Sequence, residues 1–183
     1  ENMDMVIFNS AIANQQIAKY KMAEKQYRKI IRDHSNSELV PDAHLAIGEI
    51  NFKAQKFKTA LDHFNSIKKY PQSRVYPYGI YKAAWTLYNL RDAKSGLKEL
   101  EEVVKYGLYV EQNKIDARLD LRKEALSDMT IFYEDVYPSS KAYSYLKKQA
   151  GNLESNPYIM KLAKLYEIHS RFKDKEEILA DFV

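Results

Sequence analysis

The chain has 183 residues, 45% apolar and 30% charged, with 5 glycines, 5 prolines and no cysteine. That composition supports a folded core rich in helix and excludes disulfides, zinc–thiolate sites and thiol nucleophiles. The 29 basic and 25 acidic side chains are interspersed for a net charge of +4, which is not a nucleic-acid signature, and no run approaches a membrane span.

In chain order, the first clear pattern is Tyr20, Ala23, Tyr27 and Ile30: an aromatic, a small residue three later, an aromatic four later, an aliphatic three later. Residues 43–52 follow as a second helical pattern with Ile47-Gly48 at its middle. Phe57, Ala60, Phe64 and Ile67 then repeat the quartet, closed by Tyr70-Pro71. Residues 81–88 precede a third copy, Ala93, Gly96, Leu100 and Val103. Residues 126–133 precede a fourth, Ser139, Ala142, Leu146 and Gln149, and residues 160–166 a fifth, Phe172, Lys175, Leu179 and Phe182. The small position falls at 23, 60, 96, 142 and 175, with steps of 37, 36, 46 and 33 residues.

A period near 34 with two helical patterns per copy predicts helix A, a turn and helix B in each unit. The chain is therefore expected to be all-α, about five helix pairs in a single domain, with repeats near 4–37, 41–72, 77–107, 117–151 and 156–183. No unit can bury its apolar face alone, so stacking makes the core. Gly48, Ala84 and Ala163 on A helices are expected to face Ala60 and Gly96 on B helices. Tyr27, Phe64, Leu100 and Leu146 are expected to fill the seam to the next unit. The 46-residue step predicts a longer connection near 105–120, after Gly107, and an elongated fourth A helix. The chain opens Glu1-Asn2-Met3 and ends on an amphipathic pattern through Phe182-Val183, which reads as a piece of a longer protein.

These quartets, with Ile47-Gly48, Ala60, Phe64 and Tyr70-Pro71 the best match, resemble the tetratricopeptide repeat family over nearly the whole chain. Copies one, four and five are degenerate: Asn14 stands where the pattern wants an aromatic, and Ser35 where it wants proline. The resemblance implies a right-handed α-α superhelix, a solenoid whose A helices line a concave groove for a protein or peptide. It places Met5, Phe8, Ile12 and Gln15 of copy one in that groove, with Asp42, Leu45, Glu49, Phe52 and Lys53 of copy two. From copy three it places Tyr78, Tyr81, Trp85, Tyr88 and Asn89 there, and from copy four Glu124, Ser127, Ile131, Glu134 and Asp135. The lysine and asparagine clamp of chaperone-binding members is absent, since those slots hold Phe8 and Ile12, Leu45 and Glu49, Tyr81 and Trp85.

Tyr78, Tyr81, Trp85 and Tyr88 follow a 3-4-3 spacing and share one helix face. Such residues dominate interface hot spots, yet a stripe at this spacing also fits a core. Ala83, Ala84 and Leu87 supply a separate inward face, which favours the groove. The four histidines, His34, His44, His63 and His169, lack metal-ligand spacing and read as packed or solvated, although helix pairing could bring His44 and His63 together. No nucleophile motif, phosphate cradle or dinucleotide fingerprint is present, so neither catalysis nor a cofactor is expected.

The expected function is a non-catalytic interaction module. The alternative is a structural spacer or self-association segment, a second copy of the chain being its partner. No nucleic acid and no membrane insertion are expected. The segments P-D-A-H-L-A-I-G-E-I and Y-P-Y-G-I-Y-K-A-A-W are similar to repeats of bacterial cell-envelope and motility scaffolds. That similarity implies a periplasmic or outer-membrane-associated setting ahead of a cytoplasmic one.

Overall fold

A computed structural model describes residues 3–180. The chain is all-helical: ten α-helices and no strand among the described residues, with consecutive helices packed as pairs. It divides into two compact units, Glu1–Leu90 and Arg91–Val183. The division falls between the two helices that the spacing assigns to the third repeat.

The first unit holds α1 (Met3–Gln16), α2 (Tyr20–Asp33), α3 (Val40–Lys53), α4 (Phe57–Ile67) and α5 (Tyr76–Asn89). Each packs on the next, and α3 also reaches α5. Sequence sets the boundaries. Pro41 and Pro77 sit in the first turns of α3 and α5, where a missing N–H costs nothing. Four residues before each proline, the Ser37 and Ser73 hydroxyls accept the backbone N–H groups of Leu39 and Val75 at 3.1 and 3.3 Å. The A-to-B turns close on left-handed residues that are not glycine, Ala18 (φ 59°) and Gln55 (φ 58°). The following N–H reaches back five residues, Lys19 to the Asn14 carbonyl at 2.8 Å and Lys56 to that of Asn51 at 2.9 Å. This is the Schellman arrangement, and it satisfies carbonyls that a helix end leaves bare.

The quartets become the buried stripes. Ala23, Tyr27 and Ile30 of α2 and Ala60, Phe64 and Ile67 of α4 are at most 1% exposed, whereas Tyr20, the first residue of its quartet, is 44% exposed. The nearest side chain to Gly48 is Phe64 rather than Ala60. A Cβ on Gly48 would lie 2.4 Å from the Phe64 ring, so that ring fills the seam inside its own helix pair.

The second unit holds α6 (Ala93–Gln112), α7 (Arg122–Val136), α8 (Ala142–Ala150), α9 (Asn156–Ile168) and α10 (Phe172–Ala180), with 3-10 turns at Ala117–Leu119 and Ser139–Lys141. Here the elongated helix is α6, a B helix of 20 residues, and not the following A helix, which has 15. Gly107 does not end α6, because Val110 beyond it is still buried. Gly107 instead opens a gap: a Cβ there would meet the Asp120 carboxylate at 2.4 Å and the Arg122 stem at 2.5 Å. In the fifth copy Phe172 is 58% exposed and Ile178 is the buried residue, one position ahead of the expected Leu179. Phe182 lies outside the described residues.

Candidate peptide groove

In the first unit, α1 and α3 border a concavity of about 460 Å³. Phe8, Ile12 and Gln15 of α1 face Asp42, Leu45, Glu49 and Lys53 of α3 across it. All seven are groove positions that the repeat register assigns. Helix α2 adds Tyr20 at the rim and Tyr27 at the floor. The Phe8 ring stands edge-on to Tyr27 at 5.4 Å, and the Tyr27 hydroxyl donates to the Gln15 side chain at 3.0 Å. Burial, and then the Glu49 carboxylate nearby, push that hydroxyl up to about 12, so it stays a donor. The result is an apolar strip of Phe8, Ile12 and Leu45 between Asp42 at one end and Gln15, Glu49 and Lys53 at the other. An extended segment could lay side chains on the strip and hydrogen-bond at the edges.

The other expected site residues lie nearby on α3 and α5. Glu49 lines the concavity, and its carboxylate meets the Lys82 ammonium of α5 at 3.2 Å. Phe52 is half-buried, edge-on to Phe57 at 5.3 Å, and packs against the Ala60–Phe64–Ile67 cluster. Tyr78, Tyr81, Trp85 and Tyr88 are all half-buried along α5, while Gly79, Ala83 and Ala84 on the same helix are buried. Trp85 and Tyr88 stand edge-on at 5.7 Å. Asn89 is exposed, and its amide donates to the Trp85 carbonyl at 2.8 Å. None of these α5 residues lines the concavity between α1 and α3. Tyr20 and Tyr27 were missed from sequence because they belong to a B helix, whose stripe reads as seam.

Helix pairing does join His44 of α3 to His63 of α4, Nδ1 to Nδ1 at 2.9 Å. One imidazole donates and the other accepts, so the accepting ring is neutral and both rings cannot be protonated. Burial, followed by the His63 ring, Lys69 and Arg28, pushes His44 down to about 4; burial and Arg28 lower His63, against the pull of Glu24 and Asp62. The folded form therefore binds fewer protons than the unfolded chain. The stability that this contributes is present above about pH 6.5 and is lost as pH falls toward 4. Discounted for the pair's partial exposure, the loss is expected to be about 1 kcal/mol. Urea midpoints at about pH 7.5 and about pH 5 read it, and His44→Gln with His63→Gln should flatten the difference.

In the second unit the acidic residues of α7 are largely engaged. The Glu134 side chain is 8% exposed, with His169 Nδ1 at 2.8 Å and Arg171 Nη1 at 3.5 Å. Lys161 donates to the Ser127 carbonyl and hydroxyl at 2.9 and 2.8 Å. Three tyrosines, Tyr133, Tyr137 and Tyr145, cluster with centroids 4.9 to 6.1 Å apart, and Tyr145 donates to Glu101 at 2.8 Å. Among the described residues no group of three metal-ligating side chains forms, and no helix is long and apolar enough to cross a membrane.

A tetratricopeptide repeat family model matches residues 42–73, which cover nearly all of α3, the whole of α4 and the turn before α5. No curated protein matches the chain.

Proposed function

We propose that the chain is a non-catalytic interaction module that holds an extended peptide or protein segment along its A helices. One observation supports this most: seven positions set by repeat register from two separate helices line a single concavity. The matched family supports it in general terms, as a repeat used to bind proteins. On this reading Ile12, Phe8 and Leu45 supply the apolar contact, and Glu49 sets orientation. The α5 stripe of Tyr78, Tyr81, Trp85 and Tyr88, with Asn89 and Phe52, extends the recognition surface. A bacterial envelope setting, periplasmic or at the outer membrane, belongs to the same proposal.

The test places a photo-crosslinking amino acid at Ile12 in the source cell, and separately at exposed Lys25 on α2 as a control. A partner captured from position 12 and not from 25 is expected. Ile12→Asp should then weaken its binding about tenfold without lowering Tm, since Ile12 is 36% exposed. Capture of nothing, with a concentration-dependent dimer by light scattering, overturns the groove reading in favour of self-association. If Tyr81→Ala and Trp85→Ala unfold the unit but residual partner affinity stays intact, the α5 stripe is core and not anchor.

A further inference from the structure

A second concavity, about 550 Å³, opens on the turn side of the first unit, where α1 passes into α2 and α3 into α4. Its floor is Ile50; the exposed Met22 and Ala54 join Lys19, Lys21 and Lys56 at its rim. Tyr20 separates it from the groove. The surroundings are unusually apolar for a turn: Met22 is 53% exposed, Tyr20 44% and the adjacent Ile17 62%.

The charges around it have one sign. Lys19 and Lys56 precede the first residues of α2 and α4, Lys21 and Lys58 sit one residue inside, and neither helix carries an acid in its first turn. The positive end of a helix dipole disfavours cations, so folding gives no reason for lysines at these positions. The carboxylate on the wall, Glu24, is held by Arg28 at 2.6 Å. Among the described residues no ion pair is formed by Lys19, Lys21 or Lys56.

We propose that this lysine-rimmed concavity is a second docking site, for an acidic peptide segment that inserts one large apolar side chain. The floor is recessed, with Ile50 only 7% exposed. A side chain can reach it and a flat bilayer surface cannot, which favours a peptide over an anionic membrane. The carboxylates flanking the inserted side chain meet the ammonium groups of Lys19, Lys21 and Lys56, and the field of two helix ends adds to theirs. This site is independent of the groove between α1 and α3.

The probe is a fluorescein-labelled pentapeptide with one phenylalanine between two pairs of glutamates, read by anisotropy against the 183-residue chain. It should bind about tenfold tighter than the same peptide with alanine for phenylalanine or lysine for glutamate, and weaken between about 50 mM and about 500 mM NaCl. Lys19→Glu with Lys56→Glu should cost about tenfold in affinity while holding or raising Tm, because acids suit a helix start. Ala54→Trp, which covers the floor and replaces no lysine, should weaken binding too, and Ile12→Asp in the groove should leave it unchanged. Equal binding of the alanine control, or no effect of the charge reversals, overturns the proposal. So does lysine-dependent sedimentation with phosphatidylserine vesicles when the peptide does not bind.

Discussion

Gly48→Ala should lower the stability of the first unit by about 1 to 3 kcal/mol. Helix propensity alone predicts the opposite sign, a gain of about 1 kcal/mol for alanine inside a helix. The new Cβ decides the outcome. It would stand 2.4, 2.7 and 2.9 Å from three atoms of the Phe64 ring, inside contact distance. The ring cannot swing away, because Phe64 is fully buried in a cluster with Ala60, Ile67, Val75 and Ala83. Urea unfolding of the single variant and of Gly48→Ala with Phe64→Leu tests this. The smaller side chain should recover part of the loss, which a double-mutant cycle reads as coupling. A neutral or stabilising Gly48→Ala would show that α3 and α4 have slack at their crossing.

Arg122→Ala should cost the second unit about 3 kcal/mol, the low end for breaking a buried ion pair. The Arg122 side chain is 6% exposed. Its fork donates to both Asp120 oxygens, Nε at 2.9 Å and Nη2 at 2.6 Å, while Nη1 reaches Glu111 at 3.1 Å and Asn152 at 3.2 Å. One guanidinium thus pins the long connection to both α6 and the end of α8. Burial pushes the Asp120 carboxyl up, but the Arg122 hydrogen bonds outweigh it and hold the carboxyl below the usual range. Without Arg122 that carboxylate stays partly desolvated and keeps only the weaker field of Lys123. Arg122→Met with Asp120→Asn should therefore lose less than Arg122→Ala, since it removes both charges and keeps the stem's packing. A single variant that costs under about 1 kcal/mol would place the pair among ordinary surface bridges.

Much of the architecture was legible in the residues. The quartets fixed which face of α2 and α4 is buried, because a 3.6-residue period leaves one stripe to hide. Register then carried across the turns to α1 and α3, so the groove positions of the first two pairs followed from the small residues at 23 and 60. What stayed hidden depends on contacts between helices. Gly107 reads as a helix end in one dimension, and only the Asp120–Arg122 pair packed against it shows why a glycine stands inside the helix. Helix pairing allowed His44 and His63 to meet, but the 2.9 Å Nδ1–Nδ1 bond between them depends on how α3 and α4 pack. Tyr20 and Tyr27 reach the groove from a B helix. The phase of the last copy slipped by one residue because Lys175 offers no small-residue marker. The family match covers only the pair whose markers, Gly48, Ala60, Phe64 and Pro71, are all present.

The left-handed turns have a consequence for variation. Ala18, Gln55, Arg91 and Ser170 all take positive φ at the ends of A helices, and none is glycine. At Ala18, Gln55 and Ser170 the path is held by main-chain bonds from the following residue, so the side chains there are not needed to make the turn. The following letter reads lysine at 19, lysine at 56, aspartate at 92 and arginine at 171. Substitution can rewrite the charge at 19 and 56 while the helices keep their register, whereas Asp92 caps α6 through the Ser95 N–H and Arg171 is paired with Asp174. A lineage carrying this array can change what these two turns attract one residue at a time.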